Sequence, residues 1–379
     1  MSTTDAIPKI EIPRELLPTD GRFGCGPSAI RQEFVDDLAK SAPRLLGTSH
    51  RQATVRSWVG RLRQGLQHFF ALPEGYRIGL GNGGASLVWE MANLGLFRRR
   101  SCHFTCGEFS AKWFQWAQQV PWLSPVEVKG EFGDLPEMAA VDGADAYCFT
   151  NCETSTGVAV PEVPILDTAA LNCCDATSAA GGFLFDWSRI DFLLFSPQKC
   201  FGSEGGLGVF LISPRAIERH EEIRRDSSRY IPSLMSIHEA LANSVQDQTY
   251  NTPAIATIYL MARQVEWLNT QGGMEHWAAL TRAKAQFVYD WATRCPATCP
   301  YVVRPELRSP TVATIDLVPE IAAGTLSKVL RANGIVDTEA YRKLGRNQIR
   351  LGMFPNVSRE NLERLTRSIE YVIERLAAA

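Results

Sequence analysis

The sequence predicts an α/β fold, with a large domain built on a mostly parallel sheet and a smaller α+β domain. In the middle of the chain, short apolar runs alternate with longer helical patterns, which is typical of parallel strands joined by crossover helices. Polar or glycine-rich segments follow several of these runs, where α/β sheets carry their functional loops. After about residue 265 the pattern changes to long helices with few strands. We therefore expect a large domain over residues 23–267 and a small one formed by residues 1–22 and 268–379.

The individual elements follow from the period of the apolar residues. Residues 76–80 predict a strand that leads through a glycine-rich turn into a helix over 87–96. Further predicted strands, in order, lie at 101–105, 144–149, 171–174, 191–195 and 208–212. The C-terminal part predicts, in order, a helix at 274–292, strands at 301–303 and 312–317, a helix at 323–332, a strand at 348–353 and a helix at 358–378.

Composition excludes several classes of protein. The 379 residues are 45% hydrophobic with a formal charge of −2, which supports a sizeable core and gives no electrostatic case for nucleic acid or an anionic membrane. The N-terminus lacks the features of a secretory signal, and charges or prolines interrupt every apolar run before it could span a membrane. We therefore expect a cytoplasmic protein whose ten cysteines are reduced thiols. Cys102/Cys106 and Cys295/Cys299 lack partners at zinc spacing, so no metal is expected.

Lys199 and Asp175 carry the functional prediction. Lys199 lies just after the apolar run 191–195 and before a glycine-rich turn, a position that solvation of a surface lysine explains poorly. Asp175 ends the preceding apolar run. Pyridoxal phosphate needs an amine that bonds to it covalently and a carboxylate that keeps its ring nitrogen protonated, so that the ring accepts electrons. The pair is therefore predicted to be catalytic, with pyridoxal phosphate as the cofactor.

Three other strand ends offer groups that suit this cofactor. The run Asn82-Gly-Gly-Ala-Ser86 precedes a helix, where backbone N–H groups and the Ser86 hydroxyl would bind a phosphate. The alternative is a tight turn in which Ser86 caps the helix. Phe109 could stack on the pyridine face or could be simple core packing. Thr154 could bond the phenolic oxygen of the cofactor or could be ordinary loop polarity.

Arginine-containing segments are the candidates for substrate binding. Arg350 begins an apolar strand, and a guanidinium holds a carboxylate through two parallel hydrogen bonds. His50 and Arg51 together would suit a phosphate or a second carboxylate. The alternative for both segments is surface charge.

The ordered set of motifs resembles a known family. Matching segments occur in the family's order: Ser49-His-Arg51, Gly83-Gly-Ala85, Gly107-Glu-Phe-Ser-Ala-Lys112, Glu153-Thr-Ser-Thr-Gly157, Asp175-Ala-Thr-Ser178, Pro197-Gln-Lys199 and Tyr250-Asn-Thr-Pro253. From about residue 20 to the last helix, the chain resembles the phosphoserine aminotransferases, especially their actinobacterial form.

The resemblance implies a fold type I, class V pyridoxal-phosphate transferase with a seven-stranded sheet that works as a homodimer with shared active sites. Its reaction would interconvert O-phospho-L-serine plus 2-oxoglutarate with 3-phosphohydroxypyruvate plus L-glutamate, in serine biosynthesis. Members of the family often also serve vitamin B6 biosynthesis through 4-phosphohydroxy-L-threonine. No nucleic-acid or membrane partner is implied.

The resemblance also assigns roles to residues. Lys199 would hold the cofactor and carry the proton, Asp175 would pair with the ring nitrogen, and Phe109 would replace a stacking tryptophan. Gly84, Ala85, Ser86 and Gln198 would bind the cofactor phosphate, which Asn251 and Thr252 of the neighbouring subunit would complete. Thr154 would contact the cofactor oxygen, and His50, Arg51 and Arg350 would hold the phosphate and carboxylate of the substrate.

Two residues depart from the family pattern, and three alternative functions have to be compared with the expected one. Cys152 and Cys200 stand where asparagine is common in the family, which could alter rate or substrate preference without inactivating the enzyme. Another class V enzyme, such as a serine–pyruvate or alanine–glyoxylate aminotransferase or a cysteine desulfurase, would share the Lys199/Asp175 pair but not His50/Arg51. A non-catalytic protein of the same fold would be expected to have lost the lysine or the phosphate site. A nicotinamide-dependent Rossmann enzyme is disfavoured by the glycine spacing.

Overall fold

The computed structural model describes residues 7–164 and 166–378. Its helices are α1 (Gln32–Leu45), α2 (Ala53–Phe69), α3 (Ala85–Gly95), α4 (Glu108–Ala117), α5 (Pro214–Ile223), α6 (Ile237–Val245), α7 (Ile255–Thr270), α8 (Gly273–Arg294), α9 (Ala323–Ala332) and α10 (Arg359–Ala377). In the ranges just given, none of these helices combines the length and apolar character needed to cross a membrane.

The strands form one large and two small sheets. They are β1 (Arg77–Asn82), β2 (Ser101–Thr105), β3 (Val126–Lys129), β4 (Ala146–Thr150), β5 (Cys152–Glu153), β6 (Val158–Ala159), β7 (Leu171–Asp175), β8 (Phe192–Phe195), β9 (Leu207–Ile212), β10 (Thr298–Pro300), β11 (Val312–Leu317) and β12 (Gln348–Gly352).

The large sheet has seven strands in the order β1-β9-β8-β7-β4-β2-β3. Strands β3, β2, β4, β7 and β8 are parallel, while β9 runs antiparallel between β8 and β1. The register pairs Thr150 with Asp175 and Asp175 with Leu194, so the carboxyl ends of β4, β7 and β8 lie side by side. The predicted α/β fold with a mostly parallel seven-stranded sheet is therefore confirmed, and this edge is where such sheets bind ligands.

One strand of the large sheet was not predicted, and one predicted strand is wrong. The edge strand β3 was not predicted, because its valines alternate with Glu127 and Lys129 on a half-exposed surface and give no continuous apolar run. The strand predicted at 301–303 is wrong, since the chain pairs with β11 at Thr298–Pro300 instead. Of the apolar run that suggested a strand there, Val302 is buried in a small core cluster, while Val303 is 79% exposed.

A second sheet, β10-β11-β12, packs with α8, α9 and α10 around its own hydrophobic core. Ile12 and Phe23 from the N-terminal segment belong to this core, next to residues of the last helix. The predicted domain limit at residues 267/268 falls inside α7, so the helix continues across it.

Candidate active site

Lys199 lies at the carboxyl end of β8, where it follows the turn Ser196-Pro197-Gln198. Its Nζ atom donates a hydrogen bond to the carbonyl oxygen of Cys25 at 2.6 Å. One side of the residue faces a cavity, but the protein packed around the amine disfavours the charged form and lowers the pKa of Lys199. The structure thus provides a lysine with an enlarged neutral fraction at neutral pH.

Gly26 makes room for this lysine. A Cβ atom added at Gly26 would lie 1.9 Å from the Nζ of Lys199, and the φ angle of Gly26 is +127°. An L side chain rarely adopts that conformation. The close approach explains why a glycine occupies this position of the N-terminal segment.

Asp175 is the last residue of β7 and is 2% exposed. Its Oδ2 accepts a hydrogen bond from the indole Nε1 of Trp89 at 2.9 Å, and its Oδ1 accepts one from the backbone N–H of Thr177 at 2.8 Å. Burial raises the pKa of the Asp175 carboxyl, and these hydrogen bonds oppose that shift. Among the described residues Asp175 forms no direct salt bridge, and a buried carboxylate that lacks one is costly. The site therefore suits a cationic group, such as a protonated ring nitrogen.

These two groups line one cavity of about 190 Å³. Eight of the predicted site residues meet there, namely Gly84, Ala85, Ser86, Phe109, Thr154, Asp175, Gln198 and Lys199. The cavity is also lined by residues that the sequence did not single out as part of the site: Trp89, Lys112, Thr150, Thr177 and Ser178, together with Cys152. The hydroxyl groups of Thr150 and Thr177 have no hydrogen-bond partner among the described residues. They are free to bind a polar molecule in the cavity.

The N-terminus of α3 lines the cavity and is a candidate anion site. Gly84 is the N-cap residue, no side chain caps the helix, and its first turn carries no acidic residue. Ser86 therefore does not act as the cap. A Cβ atom at Gly84 would meet only the Ser196 Oγ, at 3.8 Å, so the backbone is open to the cavity. Free N–H groups at a helix N-terminus are what a phosphate group needs.

Phe109 and Thr154 line the same cavity, and Arg350 lies next to it. Phe109 stands in the first turn of α4, with its ring centroid 6.0 Å from that of Tyr341. Thr154 is buried, and its Oγ1 is 2.5 Å from the Oγ of Ser178. The guanidinium of Arg350 donates to the Thr154 carbonyl at 3.1 Å and lines an adjoining cavity with Cys25 and Gly26. Arg350 is thus connected to both the threonine and the surroundings of the lysine.

Four predicted residues do not line these two cavities within the single chain: His50, Arg51, Asn251 and Thr252. His50 Nδ1 lies 3.1 Å from the Oγ1 of Thr252. The Asn82 side chain accepts from the N–H of Asn251 and donates to the carbonyls of Asn251 and Thr252. These four residues therefore lie beside β1, the strand that leads to the N-terminus of α3.

The two cysteines that depart from the family pattern are buried with Cys25 near the lysine. The Cys152 Sγ lies 2.9 Å from the Ser309 Oγ, and burial raises the pKa of the Cys152 thiol to about 11. Burial likewise raises the pKa of Cys25 and Cys200. These groups are neutral thiols at neutral pH, and they add no charge to the site. Of the ten cysteines, only Cys299 is exposed, and Cys295 is half-buried.

Comparisons with known proteins identify the class first. The family model for class-V aminotransferases matches residues 131–363. A phosphoserine aminotransferase of Nocardioides is 48% identical over 377 residues, which cover 98% of this chain and 100% of that protein. The chain therefore belongs to the phosphoserine aminotransferase family.

Solved structures have the same fold. The structure of a phosphoserine aminotransferase from Cytophaga hutchinsonii matches with a TM-score of 0.84 at 24% identity and covers 93% of this chain and 99% of its own. A phosphoserine aminotransferase from Trichomonas vaginalis, described as bound to pyridoxal phosphate, matches with a TM-score of 0.81 at 19% identity over 93% and 99% of the two chains. The predicted fold class, family and enzyme class are confirmed, and a nicotinamide-dependent Rossmann enzyme is excluded.

Proposed function

We propose that this chain is a pyridoxal-phosphate-dependent transaminase that interconverts O-phospho-L-serine plus 2-oxoglutarate with 3-phosphohydroxypyruvate plus L-glutamate. The observation that carries the proposal is the single cavity that buried Asp175, Lys199 and the open N-terminus of α3 line together. Ping-pong kinetics should result, because one site serves both half-reactions. The proposal includes serine biosynthesis in the cytoplasm as the setting.

The residues present fit the cofactor. The N–H groups of Ala85 and Ser86, with Gln198, would hold its phosphate, and Asp175 would pair with its ring nitrogen. Phe109 would cover one ring face and Thr154 would bond the phenolic oxygen. Bound pyridoxal phosphate supplies an electron sink for the charge left when the substrate loses its Cα proton.

Lys199 is proposed to move that proton. Burial lowers the pKa of Lys199, so Nζ spends more time neutral and can accept the proton from the substrate Cα atom. The hydrogen bond to the Cys25 carbonyl holds Nζ in one orientation.

Gly26→Ala is expected to lower kcat and cofactor affinity by at least about tenfold, because each 1.4 kcal/mol of lost binding is a factor of ten and the new methyl group would displace Nζ. Steady-state kinetics and cofactor titration measure the effect. Gly324→Ala is the matched control, since nothing lies within 4 Å of the added atom on α9. Full activity of Gly26→Ala would contradict the assigned position of the lysine.

Arg350 is proposed to bind the α-carboxylate of the substrate through two parallel hydrogen bonds. His50 and Arg51 are proposed to bind its phosphate. The His50 side chain bonds Thr252, so we assign His50 and Arg51 to the same surface as Thr252. This surface would complete the cavity of the second subunit in a homodimer with shared active sites. Asn251 and Thr252 would contact the cofactor phosphate there.

Arg51→Gln is expected to lower kcat/KM for O-phosphoserine by roughly 100-fold, since truncating a charge that holds a phosphate costs about 2–5 kcal/mol. The rate with alanine, which has no phosphate, should change little. Arg44→Gln, also exposed on the surface, is the control for loss of one positive charge. Equal losses with both substrates would show that Arg51 does not recognise the phosphate.

The visible absorption spectrum tests the whole proposal. The purified protein should be yellow, and the band should bleach at low concentrations of O-phosphoserine but barely with alanine. Bleaching by alanine instead would favour an alanine–glyoxylate or serine–pyruvate aminotransferase. Absence of the band after addition of pyridoxal phosphate would refute the proposal. The same titration with 4-phosphohydroxy-L-threonine tests a role in vitamin B6 biosynthesis.

The division into domains over residues 23–267 and over 1–22 with 268–379 also remains a proposal. It is supported by the separate hydrophobic core around the three-stranded sheet, which includes Ile12 near the N-terminus. The continuation of α7 across the proposed limit would make that helix a rigid connection.

A further inference from the structure

Glu153 is a fully buried carboxylate that lies between two segments of the active site. It ends the short strand β5 and is 0% exposed. Its Oε2 accepts hydrogen bonds from the backbone N–H and the Oγ of Ser110, both at 2.9 Å. Its Oε1 accepts from the Ser155 Oγ at 2.6 Å and from the N–H groups of Phe109 and Ser155 at 3.3 Å. All of these donors are neutral.

The carboxylate replaces a missing helix cap. Gly107, the N-cap residue of α4, has no side chain, and no side chain of that segment caps the helix. A Cβ atom at Gly107 would lie 2.4 Å from the Glu153 Cγ, so the glycine gives the distant carboxylate access to the helix end. A negative charge at a helix N-terminus is favourable. No salt bridge to Glu153 exists in the part of the chain that the structure describes, so the donors of the helix end, together with Ser155, are what stabilise its charge.

We propose that Glu153 is a positioning residue of this active site, which holds the first turn of α4, and with it Phe109, in place against the segment that carries Thr154. The inference rests on the proposed function, because Phe109 and Thr154 are its proposed cofactor contacts. Glu153 itself is absent from the residues that line the cavity and therefore acts through its neighbours.

The geometry connects three site residues to this one side chain. Phe109 donates its N–H to Glu153, and Thr154 is the next residue in the chain. The Thr154 carbonyl in turn accepts the hydrogen bond from Arg350. Ser155, held by Glu153, also accepts from the N–H of Glu108 through its Oγ at 3.0 Å. Loss of the Glu153 carboxylate would therefore loosen Phe109, Thr154 and Arg350 together.

Glu153→Gln tests the proposal with two readouts besides activity. The amide keeps the shape but turns an NH2 group toward N–H donors, so we expect pyridoxal phosphate to dissociate at least about tenfold more readily. Hydrogen exchange of the peptide covering residues 107–117 should also accelerate in the apoprotein. Glu218→Gln, the same change at an exposed position of α5, should leave both unchanged. Wild-type dissociation and exchange in Glu153→Gln would overturn the inference.

A double-mutant cycle separates positioning from general loosening. If Glu153 acts through Phe109, the effects of Glu153→Gln and Phe109→Leu on cofactor dissociation should be clearly less than additive. Additive effects would refute the proposal. If Glu153→Gln does not fold, Ser155→Ala replaces it, since it removes the 2.6 Å bond to the carboxylate and keeps the charge; a wild-type dissociation constant there would count against the inference. Failure of the wild type to bind pyridoxal phosphate would instead refute the proposed function.

Discussion

Lys199→Ala is expected to abolish transamination while the protein still folds and binds pyridoxal phosphate without a covalent bond. A positioned acid–base group alone contributes about 100- to 10,000-fold to a rate. The substituted enzyme also loses the amine that holds the cofactor. Single-turnover kinetics with O-phosphoserine, followed by absorbance, measure the loss. Substantial remaining turnover would remove Lys199 from the central role.

Lys284 provides the contrast, because it is a second buried lysine outside the cavity. It is 1% exposed, its Nζ donates to the carbonyls of Phe354 at 2.7 Å and Val357 at 2.8 Å, and burial lowers its pKa to about 7. Lys284→Met should lower thermal stability, since two buried carbonyls lose their donor. The visible band of the bound cofactor should persist. Burial of a lysine is thus not sufficient for catalysis, and its place at a strand end in the cavity is decisive.

Asp175→Asn is expected to lower kcat/KM by roughly 100-fold or more. Breaking a buried charge pair costs about 3–5 kcal/mol, and each 1.36 kcal/mol of barrier is tenfold in rate. The amide cannot keep the ring nitrogen of the cofactor protonated, so the electron sink is weakened. Kinetics on the fully loaded enzyme, with circular dichroism to verify the fold, provide the measurement.

Trp89→Phe serves as the matched variant, because it removes the hydrogen bond to the Asp175 Oδ2 and keeps the charge. A hydrogen bond to a charged group is worth about 1.5–3 kcal/mol, so the loss should be smaller than that of Asp175→Asn. If Asp175→Asn kept a rate near that of the wild type, the electron-sink argument would be wrong.

The site residues that could be predicted from the sequence are those that a local sequence pattern marks. Asp175 and Lys199 each follow an apolar run that forms an inner strand, β7 or β8, and parallel neighbours place their carboxyl ends together. The run from Asn82 to Ser86 likewise marks a strand-to-helix turn. In each case the signal lies within a few residues of the functional group, so a single sequence suffices.

The rest of the site depends on contacts between distant segments. Trp89 lies inside the helical pattern of α3, where an aromatic residue reads as core packing, and its bond to Asp175 joins two elements far apart in the chain. The Cys25 carbonyl that holds Lys199 is a backbone group, which no residue type reveals. In the sequence alone Glu153 resembles any polar loop residue, because its role depends on the end of α4 that lies against it. These roles come from tertiary packing, which periodicity does not encode.

The distribution of thiols has a practical consequence for studying this enzyme in solution. The thiols of Cys25, Cys152 and Cys200 are buried and un-ionised, and only the thiolate reacts with electrophiles. Cys299, the exposed one, lies on β10 of the three-stranded sheet. A maleimide fluorophore should therefore attach at exposed Cys299 ahead of half-buried Cys295, which gives an optical reporter at the smaller sheet while the lysine cavity remains chemically intact.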